Sequence, residues 1–467
     1  MKIRSHRIQL FLLQVAVIAL KIPFLTLGFG PEEDAWGHVY NIIEIFEQGH
    51  YIVSRLPGHP AYEALMFLLF PLIEFPFIIN VLSALAAAFA IREFYRIAVF
   101  IGIKRPVLWT LAFALMPAFF LCSTYAIDYS FTIWLILLST RMLLKRRYVS
   151  AGLAIGLATA FRITSLAMLL PAVLYLYMQK SRFRNYLLIL LSSAAVSLVF
   201  YTPAIHQYGI GFFDYHKPPG PGFLKAFYKL TFGAIGIMGV AGCILLVINV
   251  AKNSIGQVVI GLKNPFSIYL LSGLMLFVLS YLMLPEKSAF AIPIYNFFFL
   301  ILGTFENKGY QDYGLAMMCI SLFAFGIQFI HPFRGANPLS YSISVQSADQ
   351  EIQFSPHVGL YFSELQKRKN KLKYANAAYE TLAGMPPSQT AVITGWWYAQ
   401  LKTMEWLRDE ELPVKLVYYV NEKELEELVR QGYQFRHLED LHEVNDRLKN
   451  TNIQLRSEPI TISYDEQ

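Results

Sequence analysis

The stretch "GFGPEEDAWGHVYNIIEIFEQGHYI", residues 28–52, follows an apolar run and places Glu32, Glu33, Asp34, Trp36 and His38 within seven residues. The run before it, residues 8–28, has the basic start of a signal peptide but is long and lacks a small-residue cleavage site. It reads as a retained transmembrane helix. Beyond the acids, "GHVYNIIEIFEQGHYI" carries apolar residues at helical spacing and carboxylates on another face, which predicts a helix lying on the membrane surface. A span that opens into an acidic turn and then a surface helix is the start of a polytopic membrane protein with a structured exterior loop.

The rest of the chain agrees with that reading. Of 467 residues 55% are hydrophobic and only 15% charged, and the mean hydropathy is +0.44, more apolar than a soluble core of this size requires. The net charge of +7 does not point to nucleic acid, because the basic residues fall into short clusters between apolar runs. Lys2/Arg4/Arg7, Lys104/Arg105, Lys145/Arg146/Arg147, Lys180/Arg182/Arg184 and Lys252/Lys263 mark cytoplasmic turns. Turns holding Glu32/Glu33/Asp34, Asp128, Asp214 and Glu286 then face outward. Cys122, Cys243 and Cys319 each lie in or beside an apolar run, so no disulfide framework is visible.

Counting between these anchors predicts about eleven transmembrane helices, at 8–28, 75–100, 106–122, 127–143, 148–161, 163–178, 186–203, 229–251, 266–284, 289–304 and 312–330. Residues 148–178 form either two short helices meeting near the outer face or one long tilted helix. An odd count starts the chain in the cytoplasm and ends it outside. The expected domains are a transmembrane region, 1–331, with an exterior loop at about 29–74, and an extracytoplasmic small α/β domain, 332–467. The latter alternates β-rich runs ("TAVITGWW", "VKLVYYV") with an amphipathic helical run ("NEKELEELVRQG"). It carries no phosphate fingerprint, metal-ligand spacing or nucleophile arrangement, and by itself reads as a structural or partner-binding appendage.

Four places hold residues with chemical capacity. The Asp34 turn is either a solvated acidic loop or part of a site, and "SRLPGHPAYEAL" downstream, with Arg55, His59 and Tyr62 among two prolines and a glycine, favours a stiff loop built to hold something. Asp128 interrupts an apolar hairpin, so it either snorkels to outer water or faces a polar cavity or cation. Arg162 lies far from both flanking basic clusters; it pairs with Asp128 or binds an anionic headgroup. "LMLPEKSAFAIPIY" presents Glu286 and Lys287 outward, as a plain turn or as part of the same site.

Together "PEEDAWGH", "RLPGHPAYEAL", the segment from "YAIDYSF" to "FRITSLAMLLP" and "PEKSAFAIP" resemble the GT-C type polyprenyl-phosphate-sugar-dependent glycosyltransferases, in the family 39 protein mannosyltransferase-like and bacterial lipid-sugar transferase branch. The resemblance spans roughly residues 1–330 and departs where Ala289-Phe290 replaces an arginine-aromatic pair, leaving Lys287 as the cation of that turn. It implies a GT-C-like membrane enzyme that moves a hexosyl or pentosyl unit from a polyprenyl-phosphate sugar to a hydroxyl of a protein, lipid or glycan on the outer side. On it, Asp34 is the general base and Arg162 and Lys287 bind the donor phosphate. Glu33, Trp36, His38, Arg55, His59, Tyr62 and Glu286 form the substrate loop, and Asp128 is a candidate ligand for a divalent ion. No nucleotide cofactor is expected, since the lipid-phosphate sugar is already activated. The absence of an Asn-x-Ser/Thr sequon fits a bacterial inner or plasma membrane.

Two other classes compete. A secondary transporter would also keep Asp128 and Arg162 in a polar path, yet the sequence shows no internal two-fold repeat. A scaffold acting through its C-terminal domain would leave the Asp34 loop unexplained.

Overall fold

The computed structural model describes residues 2–209, 211, 222–261, 264–305, 310–329, 333, 341–345, 350–418, 422–441 and 457–464. The expected acidic turn at Asp214 and the basic residue Lys263 lie outside them. Fifteen helices make up the first part. They are α1 (Lys2–Leu25), α2 (Glu33–Gln48), α3 (Pro60–Leu68), α4 (Pro76–Phe100), α5 (Pro106–Ala114), α6 (Pro117–Cys122), α7 (Tyr129–Leu144), α8 (Tyr148–Phe161), α9 (Leu169–Met178), α10 (Phe183–Tyr208), α11 (Phe223–Leu230), α12 (Phe232–Gly261), α13 (Pro265–Met283), α14 (Ile292–Thr304) and α15 (Gln311–Ile320). Proline opens α3, α4, α5, α6 and α13, where its missing N–H leaves no helical bond unmade.

Among the described residues five stretches are long and apolar enough to cross a membrane alone: Ile8–Leu25, Pro76–Phe100, Phe183–Tyr208, Phe232–Lys252 and Pro265–Met283. Tyr129–Leu144, Tyr148–Phe161, Ile163–Met178 and Ser288–Thr304 are shorter apolar helices beside them. The chain is an integral membrane protein. Residues 148–178 form two short elements: α8 ends at Phe161, Arg162 is extended (φ −147, ψ 118), and a 3₁₀ turn, Ile163–Met168, leads into α9. The run at 106–122 is broken by Met116 and Pro117 into α5 and α6.

The run expected as a last span, 312–330, is not one helix. α15 stops at Ile320, and Gly326–Phe329 forms the strand β1. A ten-residue helix rises only about 15 Å, and apolarity alone does not separate a buried helix from a buried strand. What forces the change is local. Phe325 sits at φ +58, and Gly359 lies so close beneath the 322–324 backbone that any side chain there would collide with it.

Close helix contact comes from glycine. Gly156 of α8 approaches α10 so nearly that a Cβ would stand 2.5 Å from the Ser193 carbonyl oxygen, and Gly152, one turn earlier, meets Ile189 in the same way. α8 and α7 pack together, as do α7 and α4, which carries the charged turns at 128 and 162 to one end of the bundle.

β1 belongs to an antiparallel sheet of order β1-β3-β2, with β2 at Tyr341–Val345 and β3 at Gln350–Ser355. The β-containing part therefore begins before residue 332. After α16 (Leu360–Ala383) come β4 (Thr390–Ile393), α17 (Tyr398–Arg408), β5 (Lys415–Val417), α18 (Glu422–Arg430), β6 (Gln434–Leu438) and β7 (Glu458–Ile460), whose strands form a parallel sheet ordered β5-β4-β6-β7. The two β-rich runs and the helical run read from the sequence are β4, β5 and α18. α17 packs on α2, and α16 reaches the membrane part: Tyr361 Oη donates to the Leu20 carbonyl (2.9 Å) and Arg368 to Thr124 Oγ1 (2.7 Å). The acidic loop and the C-terminal α/β part thus share one side of the bundle.

Two expectations follow. Single cysteines at Gln48 and Glu411, both exposed, should react with an impermeant maleimide added outside intact cells; protection of both would reverse the orientation read from the charges. Gly156→Leu should lower stability by about 1–3 kcal/mol through overpacking against α10, seen as a lower unfolding midpoint in detergent.

Candidate active site

The turn before α2 is shaped by two glycines, Gly28 (φ +62) and Gly30 (φ +150), which lie against Trp36 and Tyr125 with no room for a Cβ. Trp36 Nε1 donates to the Gly30 carbonyl (2.9 Å), locking the turn so that Glu32, Glu33 and Asp34 emerge at the amino end of α2, where the helix dipole favours negative charge. Lys287, at the start of the 3₁₀ turn Ser288–Ala291, reaches between them: its Nζ lies 2.5 Å from Glu32 and 2.6 Å from Asp34. Tyr125 Oη donates to the other Glu32 oxygen (2.5 Å). Arg55 extends the network, 3.5 Å from Asp34 and 3.7 Å from Glu286. Burial pushes the Asp34 carboxyl up, but Lys287 and Arg55 outweigh it and hold Asp34 well below the usual carboxylate range. The same carboxylates hold the Lys287 ammonium far above its ordinary value against the pull of burial. Glu33 lies apart from the cation and is shifted the other way, raised by burial although Tyr418 donates to it.

A second charged node adjoins the first. Asp128, fully buried before α7, is 2.6 Å from Arg162 Nε and 3.5 Å from His59 Nδ1. The Arg162 guanidinium lies 3.9 Å over the Tyr129 ring and 5.3 Å from that of Phe290. Because α8 stops at Phe161, Arg162 is free to point along the helix end, and the Phe161 carbonyl is left to meet His59 Nδ1 at 2.8 Å. Burial lowers the basicity of His59, but Asp128 more than offsets it and keeps the imidazole above its ordinary value. His38, edge-on to His59 at 5.2 Å, is pushed down to about 4, first by burial and then by that neighbour. Of the two readings of Asp128 and Arg162, the geometry shows the pair.

Sequence reasoning missed the residue that shapes the loop between these nodes. Glu63, buried in the first turn of α3, accepts from Tyr51 Oη (2.5 Å), Ser54 Oγ (2.6 Å), Ser54 N (3.0 Å) and His59 N (3.3 Å). It gathers residues 51–59 around one carboxylate and so aims Arg55 at one node and His59 at the other. The signal was present: a lone acid among "PAYEALMFL" has a desolvation cost to answer for.

Nine of the eleven candidate residues converge here. Trp36 and Tyr62 do not face the site. Trp36 packs edge-on against Phe29 (5.1 Å), and Tyr62 is buried behind His38 (5.0 Å) near Phe131 and Phe161. Trp36 lies two residues from Asp34, on the opposite side of α2, whereas His38, four residues on, shares its face. Asp128 does not suit a divalent ion, because Arg162 and His59 already neutralise it, and among the described residues no three His, Cys, Asp or Glu are grouped as a metal would need.

Two cavities border the nodes and another lies beside the Glu63 loop. One of about 250 Å³ is apolar and runs among Tyr129, Ile133, Phe277, Leu284 and Phe290 with Arg162 at its polar end. A second, about 800 Å³, is an apolar groove between α2, α3 and α10, lined by Phe46, Phe67 and Phe200. The third, about 700 Å³, is polar and lies above Asp34 between α2 and the C-terminal α/β domain.

No family profile and no curated protein matches the sequence. Several solved structures match the fold. The crystal structure of ArnT from Cupriavidus metallidurans bound to undecaprenyl phosphate superposes over 90% of this chain and 87% of its own, with a TM-score of 0.55 and 11% identity. The apo crystal structure of ArnT from the same organism gives 90%, 88%, 0.54 and 12%. At this identity the likeness is one of fold, and this chain shares the fold of those ArnT structures.

Glu63→Gln removes the charge that collects four donors, and should cost about 1–3 kcal/mol, the range for leaving buried partners imperfectly satisfied. Limited proteolysis within 51–59 should accelerate in that variant. Unchanged cleavage would show that the loop is held by other contacts.

Proposed function

We propose that the protein is a membrane glycosyltransferase that moves a sugar from a polyprenyl phosphate to an acceptor hydroxyl at this face of the bundle. One observation carries the reading: Arg162 stands where an apolar cavity meets the charged node of Asp128, beside the Lys287–Asp34 node. An apolar channel that ends on a guanidinium suits a lipid with an anionic head, because the chain is desolvated and the phosphate is met by a planar donor fork. The likeness to an ArnT that binds undecaprenyl phosphate supports the same assignment.

In the reaction the acceptor oxygen attacks the anomeric carbon, the bond from that carbon to the phosphate oxygen breaks, and the polyprenyl phosphate leaves with one more negative charge. Arg162 and Lys287 stabilise that charge. Asp34 takes the hydroxyl proton. Its ion pairs keep it ionised at neutral pH but also make it a weak base, and a donor phosphate supplies the remedy by competing for Lys287. As Lys287 turns to the phosphate, Asp34 loses its strongest counter-charge and its affinity for a proton rises, so the base is strengthened only when donor is present. Glu33, already raised and held by Tyr418, serves to orient the acceptor. The site belongs to the extracytoplasmic side of a bacterial inner membrane, where the donor is presented.

Sugar transfer from a radiolabelled polyprenyl-phosphate sugar in proteoliposomes tests this. Asp34→Asn should reduce turnover about 10²–10⁴-fold while donor affinity holds or rises, because Lys287 is released to the phosphate, and Glu32→Gln should reduce turnover far less. Arg162→Ala should weaken undecaprenyl phosphate binding more than Arg162→Lys, which keeps charge but loses the fork. Near-normal turnover in Asp34→Asn and Glu33→Gln alike would overturn the enzymatic reading of the loop.

A further inference from the structure

The polar cavity above Asp34 has two owners. Its floor is α2 and the 52–59 loop, and its roof is the exterior domain, through Tyr398, Tyr418 and Glu424. Tyr418 immediately follows β5, and Tyr398 opens α17 just beyond β4, so both stand at the carboxyl ends of parallel strands, the edge at which open α/β sheets bind ligands. The two halves are joined across the cavity. The Tyr398 ring meets Tyr40 of α2 edge-on at 5.8 Å, Tyr418 lies 5.8 Å from Tyr398, and Tyr418 Oη donates to Glu33.

The lining has a definite charge. Glu33, Asp34, Glu44 and Glu424 face it, against the Arg55 guanidinium and the His59 imidazole, each of which is itself paired with carboxylates, Arg55 with Asp34 and Glu286 and His59 with Asp128. We propose that the exterior domain completes the acceptor site, and that the acceptor part held there is a saccharide bearing neither phosphate nor carboxylate. Carboxylates accept hydrogen bonds from sugar hydroxyls or ammonium groups, and three phenol rings offer flat faces to the C–H face of a pyranose. An anionic acceptor would bring like charge against four carboxylates in a partly desolvated space. The volume, about 700 Å³, is within the range that encloses a small-molecule ligand. The inference rests on the glycosyl-transfer reading for the word acceptor, but the charge and ring chemistry of the cavity stand apart from it.

Calorimetry on the full-length protein in nanodiscs tests the proposal, with chitobiose, mannobiose, glucosamine, glucosamine 6-phosphate and a serine-containing peptide as probes and undecaprenyl phosphate titrated in parallel. At least one unphosphorylated saccharide should bind, glucosamine 6-phosphate should bind no better than about tenfold below glucosamine, and Tyr398→Ala or Tyr418→Ala should weaken saccharide binding about tenfold or more. Both variants should retain undecaprenyl phosphate binding and the wild-type unfolding midpoint; Tyr398→Phe, which keeps the ring, should bind saccharide nearly as wild type and serves if Tyr398→Ala unfolds. Tighter binding of the phosphorylated sugar, binding of the peptide alone, no saccharide binding, or indifference to both tyrosines would overturn the proposal. Saccharide binding without undecaprenyl phosphate binding would instead overturn the donor reading and leave this one standing.

Discussion

Lys287 between Glu32 and Asp34 is the contact on which the functional end of the molecule depends. Three consecutive carboxylates at a partly buried helix start repel one another and lose hydration, so the turn between α1 and α2 keeps its shape only if a cation is delivered to it. That cation comes from the turn between α13 and α14, more than 250 residues away in sequence. Removing it would leave buried carboxylates uncompensated, which costs more than the pair contributes when intact. The ion pair therefore couples the first and last thirds of the bundle, and the Arg55–Glu286 contact makes the same connection a second time.

Beside it, the Asp128–Arg162–His59 node follows the same logic with different parts. A fully buried aspartate is tolerated because a helix stops at Phe161 and releases both a guanidinium and a carbonyl where they are needed. Each node holds its cation by carboxylate oxygens, the same kind of acceptor that a phosphate presents. Glu63 keeps the intervening loop in register with both.

Much of this was legible in the chain. Basic clusters and apolar runs located most of the long apolar helices, and the spacing of the basic clusters around residues 148–178 left two short helices or one tilted helix open, between which the structure shows a break at Arg162. Misreadings arose where apolarity was uniform. Met116-Pro117 divides one run, and a run ending in Gly326–Phe329 becomes strand, because hydropathy carries no record of the partner that a backbone will pair with. Trp36 and Tyr62 were placed in the site by proximity along the chain, although helical geometry turns Trp36 away from Asp34 and packs Tyr62 into the core. Lys371, which donates to the Pro31 carbonyl at 2.9 Å, and Tyr418 were invisible as neighbours of the acidic turn, since nothing local marks a contact made across more than 300 residues.

The anchoring of α16 bears on how substrates enter. Arg368 is buried against the Thr124 hydroxyl, the Leu121 carbonyl and the rings of Phe24 and Tyr125, while Tyr361 is tied to α1. A domain riveted by an internal guanidinium is poorly suited to swing as a hinged cap, because opening it would break two hydrogen bonds and two ring contacts at once. The floor of the polar chamber is tied differently: the proline- and glycine-containing segment 51–59 is gathered on the Glu63 carboxylate and pinned by Asn41 at the Ile52 carbonyl and by His59 at the Phe161 carbonyl. A riveted roof over a floor laced by single side-chain bonds makes the loop, not the domain, the part of the chamber that is less costly to rearrange.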